Sequence, residues 1–202
     1  MEYKEHLSKD KKLGTILKER SFELEHRNNI PLRLIASIMS QQLSTKVAAV
    51  IYQRFMDLFG GKEPTLKQIK ETDIETLRAI GLSYQKVSYV HNVAAYFIEH
   101  KLTDAKLHKM DDELIMETLT QIKGVGKWTT EMLLMFTMGR EDIFPFDDLG
   151  IQQGMELLYK ISPENKKEMK AKMEKIAEKW RPYRTYACLH IWKWKDEYKK
   201  QK

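Results

Sequence analysis

The sequence predicts an all-α protein, and two observations support this prediction. Apolar residues recur at helical spacing along most of the 202 residues, and no stretch shows the sustained apolar–polar alternation that is typical of β-strands. Residues that cap helices precede many of these apolar stretches, and glycines that end helices follow several of them. The predicted capping residues are Ser44, Thr65, Asp73, Ser83 and either Asp111 or Asp112.

Further helices are predicted towards both ends of the chain. An N-terminal helix carries one apolar stripe, a second helix has a proline in its first turn, and two more lie in the C-terminal part. Their markers are Leu13, Ile16, Leu17 and Leu24 for the first, Pro31 for the second, and Ser162-Pro163 and Pro182 for the last two.

Composition limits the classes of protein that this chain can represent. A hydrophobic fraction of 42% supports a packed core, and 202 residues suit one compact domain or two small lobes. The single cysteine, Cys188, excludes an internal disulfide and a four-cysteine iron–sulfur cluster, and it fits a reducing compartment. No stretch predicts a signal peptide or a membrane span. The net charge of +6 fits a polyanionic partner without specifying one.

A Gly-Val-Gly turn between two predicted helices is the most informative local feature. Gly124 and Gly126 allow positive φ angles and a close approach of the backbone to a partner. The helix that follows begins with amide groups that suit a phosphate. An ordinary turn between helices needs no more than the glycines. Ile122 before the turn and Thr129 after it complete a fuller pattern, which favours nucleic-acid binding.

Two adjacent carboxylates, Asp147 and Asp148, follow this hairpin where another helix begins. One of them is explained as a helix cap, which is worth about 1 kcal/mol. The positive end of the helix favours an ionised state of the other. Because DNA repels a carboxylate, this charge is better explained by chemistry than by affinity. An ionised carboxylate can stabilise an oxocarbenium ion or orient a water molecule.

Aromatic and amide side chains supply further candidates. Most of the aromatic residues are interpreted as core, but Trp128 and Tyr183 are predicted to stack on an extruded base, with cation–π attraction to a cationic one. The segment Ser40–Ser44 is either a plain capping turn or a polar wedge that fills the gap left by a flipped base, and its residues favour neither interpretation.

These elements together resemble the helix-hairpin-helix DNA glycosylase superfamily, and in particular its alkylation-repair branch, the 3-methyladenine DNA glycosylase II type. The resemblance covers roughly residues 30–195. It implies an all-α, two-lobed fold with a central cleft, in which a damaged base is flipped and its N-glycosidic bond is hydrolysed. Its motifs are Ile122–Thr129, Phe144–Ile151 and Trp180–Ala187, with weaker matches at Ile38–Ser44 and Leu77–Ser83.

The resemblance assigns roles to individual residues. Asp148 takes the catalytic position, because Ile151 matches the aliphatic residue expected three positions later, and Asp147 supports the helix start. No cofactor is required, although the hairpin resembles the family's site for a structural Na⁺ or K⁺. The remaining roles are the wedge for Gln42 with Gln41 beside it, phosphate binding for Lys123, Gly124, Gly126, Lys127 and Thr129, the base pocket for Trp128, Met132 and Tyr183, and cation binding for the carbonyls of Thr120, Ile122 and Val125.

Position 128 separates subclasses of this superfamily. Relatives that also cut the strand carry a lysine nucleophile there, and Trp128 cannot form a Schiff base. The expected activity is monofunctional removal of alkylated purines, 3-methyladenine and 7-methylguanine, without AP-lyase activity. Met132 and Tyr183 replace aromatic residues expected in the pocket, so the range of substrates stays open.

The resemblance also implies the setting in which the protein acts. The partner is double-stranded DNA with a damaged base, with no membrane involved. A cytoplasmic monomer, associated with the nucleoid if bacterial, is expected. The chain forms a single glycosylase core, with one lobe over roughly residues 30–110 and the other over 111–202 plus the N-terminal helix, and with no extra N-terminal β domain.

Three alternatives stay open at this point. The first is a non-catalytic helix-hairpin-helix DNA-binding module in which both aspartates act as caps. The second is a glycosylase for other damaged purines, such as hypoxanthine or etheno-adenine. The third, a helical protein scaffold, leaves the Gly-Val-Gly turn without a purpose.

Overall fold

A computed structural model describes residues 2–17, 21–162 and 164–200, and no β-strand occurs among them. The all-α prediction is confirmed. The helices are α1 (Glu2–Leu7), α2 (Lys11–Gly14), α3 (Ile30–Ser40), α4 (Thr45–Asp57), α5 (Leu66–Glu71), α6 (Ile74–Ala79), α7 (Tyr84–Glu99), α8 (Asp104–His108), α9 (Asp112–Thr120), α10 (Lys127–Phe136), α11 (Leu149–Tyr159), α12 (Lys166–Ala177) and α13 (Arg184–Lys200), with a 3₁₀ turn at Glu178–Trp180.

The predicted capping residues explain where many helices begin. Each of them accepts a hydrogen bond from a backbone amide in the first turn of its helix, which satisfies a donor that has no partner within the helix. At α5 the arrangement is reciprocal, because Gln68 also accepts from the amide of Thr65. The confirmed caps are Ser44, Thr65, Asp73, Ser83 and Asp111.

The predicted N-terminal helix over Leu13–Leu24 is wrong for the part of this range that the structure describes, and residues 18–20 lie outside that part. Asp10 accepts hydrogen bonds from the amides of Lys12 and Leu13 and starts α2, but this helix ends at Gly14. Residues 21–29 are not helical, and the amide of Phe22 donates to the hydroxyl of Tyr3 at 2.8 Å instead of to a helical carbonyl. Tertiary contacts with α1 therefore override the local apolar pattern.

The C-terminal helices also start later than predicted. The charged helix, α12, begins after Asn165, whose side chain accepts from the amide of Glu168 at 3.0 Å. Ser162 precedes this cap, and Pro163 lies outside the described residues. The last helix, α13, was predicted to start around Pro182 and begins at Arg184.

The chain divides into two compact units. The hairpin unit comprises His26–Leu133, and the aspartate unit comprises Met1–Glu25 with Leu134–Lys202. In the hairpin unit, α7 packs against α3 and α5. The division falls within α10, whereas the sequence analysis placed it near residue 110. The hairpin groups with residues 26–110 because its turn packs on α7, as described below.

His190 in α13 gives the aspartate unit a testable pH dependence. Its side chain is buried, 4.8 Å from the ring of Phe22 and 6.0 Å from that of Tyr3. Burial first, and then the charge of Lys4, lower the pKa of His190 from 6.5 to about 4. Between these values the unfolded chain binds a proton that the folded chain does not, so stability is lost as the pH falls through this window.

We expect wild-type protein to lose on the order of 3 kcal/mol of unfolding free energy through this group between pH 6.5 and 4. A His190→Phe variant should lose less by about that amount, because it has no proton to bind. Urea unfolding at pH 7 and pH 4.5 measures the difference. The exposed His100, replaced by Gln, is the control. Equal pH dependence of wild type and His190→Phe would refute the assignment.

Candidate active site and nucleic-acid interface

The turn between α9 and α10 is anchored by apolar side chains that point into the protein. Ile122 and Val125 are buried, and the amide of Val125 donates to the carbonyl of Ile122 at 2.9 Å. Gly124 adopts φ +106°, and a Cβ built there would lie 2.2 Å from the ring of Tyr89. Asn92 also donates to the carbonyl of Lys123 at 3.1 Å. Only glycine fits at position 124, and α7 holds the turn through two side chains.

The other glycine of the turn serves a different purpose. A Cβ at Gly126 would meet no described atom within 4 Å, so no packing in the described part of the chain requires glycine there. The carbonyl of Gly126 accepts from the amide of Thr130 at 3.1 Å, so the first amides of α10 follow directly and lack intrahelical acceptors. Lys123 and Lys127 flank this point, and Lys127 also lies 3.6 Å from the buried carboxylate of Glu131. This surface suits an anion that approaches the backbone closely.

The predicted wedge segment lies at the C-terminal end of α3. The side-chain amide of Gln41 donates to the hydroxyl of Thr129 at 3.3 Å. Gln42 adopts φ +59° and is exposed. The side chain of Thr129 is buried and accepts from Gln41. Its amide lies in the first turn of α10, so phosphate binding by Thr129 stays a prediction that concerns its backbone. The two glutamines therefore differ in their surroundings: the side chain of Gln41 is bonded to α10, and Gln42 is exposed.

Asp148 is the N-cap of α11, and this corrects the sequence analysis, which gave the helix start to Asp147. Oδ1 of Asp148 accepts from the amide of Ile151 at 2.9 Å and from Nε1 of Trp192 at 2.7 Å. Asp148 directly precedes the first helical residue, so its short side chain reaches that amide. Asp147 is exposed and forms an ion pair with Lys166 at 3.0 Å. Capping and the candidate chemistry therefore fall on the same carboxylate.

Trp192 in α13 is a site residue that the sequence analysis missed. A Cβ at Gly150 would lie 2.8 Å from two atoms of the Trp192 ring, and one at Gly154 would lie 2.4 Å from Cγ2 of Ile191. Two glycines four residues apart on α11 therefore let α13 approach closely. That spacing was the available signal, because it indicates a tight helix contact on the face that begins at Asp148.

The aromatic residues predicted to hold a base belong to different units, Trp128 to the hairpin unit and Tyr183 to the aspartate unit. Trp128 is 41% exposed, and Met132 follows it at a spacing of four on the same face of α10. Phe136 continues this face, and its ring lies 5.9 Å from that of Trp192. Tyr183 belongs to another cluster, with ring centroids 5.6 Å from His6 and 6.1 Å from Tyr186. Within the aspartate unit, Trp192 contacts the candidate catalytic carboxylate.

The predicted cation site consists of neutral carbonyl oxygens at the hairpin turn. The carbonyl of Ile122 already accepts one hydrogen bond, from Val125, and its second lone pair can face a cation. Oxygen donors without a carboxylate fit a monovalent ion of low charge density. Among the described residues, no group of three or more His, Cys, Asp or Glu side chains could hold a metal ion.

Comparison with known proteins decides the family. A model of the HhH-GPD superfamily of base excision DNA repair proteins matches residues 35–179, more than half of the chain. The chain belongs to this superfamily. The family resemblance inferred from the sequence motifs is therefore confirmed. No helix in the described part of the chain is long and apolar enough to cross a membrane.

Several proteins that are similar to this chain are named as 3-methyladenine DNA glycosylases or glycosidases. The DNA-3-methyladenine glycosylase 1 of Schizosaccharomyces pombe is 37% identical over 162 residues, which are 79% of this chain and 70% of the relative. A DNA-3-methyladenine glycosidase structure from Bacillus halodurans has a TM-score of 0.86 and 32% identity, and the match covers 98% of this chain and 91% of the other. The S. pombe 3-methyladenine DNA glycosylase in complex with abasic DNA has a TM-score of 0.81, 32% identity and 96% coverage of both chains.

Proposed function

We propose that this protein is a monofunctional DNA glycosylase that removes alkylated purines, 3-methyladenine and 7-methylguanine, from duplex DNA. The observation that carries the proposal is the half-buried carboxylate of Asp148, which α11 and Trp192 hold in one orientation. Membership of a base excision repair superfamily and relatives named as 3-methyladenine glycosylases support it.

Hydrolysis of the N-glycosidic bond of an alkylated purine mainly requires a negative charge from the protein. Alkylation at N3 or N7 places positive charge on the purine, so the bond from C1′ of the sugar to the base breaks with its electron pair leaving on the base. The sugar becomes an oxocarbenium ion, which the carboxylate of Asp148 stabilises. Water then attacks C1′ and loses a proton, and Asp148 orients that water. The products are the free base and an abasic site.

Binding comes from the hairpin unit in this proposal. The amides near Gly126, with Lys123 and Lys127, take a phosphate, and Gln42 fills the gap left by the extruded nucleotide. A monovalent cation on the carbonyls of Thr120, Ile122 and Val125 would neutralise the phosphate further. The extruded base stacks on the exposed face of α10, where Trp128 offers cation–π attraction to an alkylated purine.

Incubation of methylated duplex DNA with the protein tests this function. We expect release of 3-methyladenine and 7-methylguanine, quantified by chromatography, with strands that break only after hot alkali. Strand cleavage without alkali would contradict the monofunctional assignment, because Trp128 has no amine for a Schiff base. Release of hypoxanthine or etheno-adenine alone would assign another lesion class. Lesion-blind binding without any product would identify a DNA-binding module.

The contact between Trp192 and Asp148 makes a further prediction. A Trp192→Phe variant keeps an aromatic ring but cannot donate to Oδ1 of Asp148. Hydrogen bonds to charged groups are worth about 1.5–3 kcal/mol, so we expect single-turnover base release to slow by about tenfold to a hundredfold. Trp194→Phe in the same helix is the matched control, since the ring of Trp194 packs near Tyr198. Equal rates for both variants would show that this hydrogen bond does not position the carboxylate.

A further inference from the structure

Lys86 in the first turn of α7 binds the end of α3. Its ammonium donates to the carbonyl of Met39 at 2.8 Å and to the carbonyl of Gln41 at 2.7 Å. Carbonyls at the C-terminal end of a helix lack intrahelical donors and carry the negative end of the helix dipole. A cation that bridges two of them fixes both the end of the helix and the first residue of the turn.

The side chain of Lys86 is partly withdrawn from solvent where it makes these contacts. Its side chain is half-buried, and burial lowers its pKa. We expect a lysine that serves only to attract DNA to be fully exposed, because long-range attraction to phosphates does not require a fixed, buried position. The location therefore indicates a role in holding the backbone.

Gln41 is held from a second side as well. Its carbonyl accepts from Lys86, and its side-chain amide donates to Thr129 in α10 at 3.3 Å. The next residue, Gln42, is exposed with φ +59°, a left-handed conformation that costs a residue with a Cβ free energy unless its surroundings hold it there. The two contacts to Gln41 add to the hydrogen bond that closes this turn, from the amide of Leu43 to the carbonyl of Ser40 at 3.1 Å.

We propose that Lys86 is a positioning residue for DNA interrogation: it fixes the turn so that Gln42 is ready to enter the base stack. This inference rests on the wedge role of Gln42 in the proposed function. A turn that is ordered before binding does not have to lose conformational entropy at insertion. Without Lys86, the protein would still bind phosphates through the hairpin but would fill the gap in the duplex poorly.

Affinity for two duplexes tests the inference without any need for catalysis. One duplex is intact, and the other carries a stable tetrahydrofuran abasic-site analogue, which presents the gap that the wedge fills. We expect wild type to prefer the analogue and Lys86→Met to lose about tenfold of that preference, since two charge-assisted hydrogen bonds are lost. Affinity for the intact duplex should change less than about twofold at fixed salt. Lys67→Met, an exposed lysine near Glu71 in the same unit, is the control.

A double-mutant cycle separates positioning from simple stabilisation. If Lys86 acts through Gln42, the preference of Lys86→Met/Gln42→Ala should equal that of Gln42→Ala alone. Additive losses, or an unchanged preference in Lys86→Met, would overturn the inference. Lys86→Arg, which can still donate to both carbonyls, should restore part of the preference. If Lys86→Met does not fold, Lys86→Gln takes its place in the same cycle.

The outcomes distinguish this inference from the proposed function. Base release by wild type, together with an unchanged preference in Lys86→Met, would leave the glycosylase assignment intact and remove the role of Lys86. A coupled loss of preference without base release would support the wedge and contradict the chemistry. A wild type without any preference for the abasic analogue would overturn the wedge assignment itself.

Discussion

Replacement of Asp148 by Asn is expected to slow base release by about a hundredfold to a thousandfold or more, while duplex DNA is bound as tightly as before or more tightly. The reason is electrostatic. The variant loses the charge that stabilises the sugar cation, and it also loses a charge that repels phosphates. Single-turnover release of 3-methyladenine and the dissociation constant for the same duplex measure the two effects.

Asparagine is an informative substitution at this position because it removes the charge and keeps the local structure. It caps helices about as well as aspartate, and its carbonyl oxygen can accept from both Ile151 and Trp192. Asp147→Asn is the matched control, because that residue is exposed and paired with Lys166. An Asp148→Asn protein with wild-type activity, or an inactive Asp147→Asn protein, would end the assignment.

Gly124→Ala is expected to destabilise the hairpin unit by about 3 kcal/mol or more and to abolish DNA binding. Its Cβ would lie 2.2 Å from the Tyr89 ring, and φ +106° disfavours any residue with a Cβ. Movement of the Tyr89 ring would remove one of the two side chains through which α7 holds the turn. Urea unfolding and a DNA-binding titration measure the two losses.

Gly126→Ala is the control for this effect. A Cβ there meets nothing within 4 Å, so the unfolding free energy should change by no more than about 1 kcal/mol. Its methyl group stands where a phosphate would approach the amides, so the variant should fold normally and bind DNA more weakly. The same unfolding midpoint for both alanine variants would refute the steric argument.

Much of the helical framework could be predicted because it depends on local chemistry. Caps such as Thr65 and Asp111 satisfy amides three residues away, and such pairs are visible in the sequence. The glycine turn at Gly124 is also local, since a backbone with positive φ needs a particular residue type. The helix predicted over Leu13–Leu24 does not form as predicted, because the amide of Phe22 donates to the hydroxyl of Tyr3 in α1. These residues are 19 positions apart, so local rules could not predict the contact.

The fine structure of the candidate site could not be predicted because it depends on contacts between distant segments. Trp192 meets Asp148 across 44 positions, Gln41 meets Thr129 across 88, and Lys86 meets Gln41 across 45. Local rules could not decide which of two adjacent aspartates would cap α11. They also could not show that Thr129 faces inward, because α10 has an exposed and a buried face and its phase depends on packing.

Helix α7 sets a fixed spacing between two turns. Lys86 holds the turn that carries Gln42, and Asn92, six residues later, holds the turn that carries Gly124. Six helical residues span about 9 Å along the axis, and a helix does not stretch. In the proposed function, the displaced nucleotide would therefore lie at a constant distance along the duplex from the phosphate that the hairpin binds.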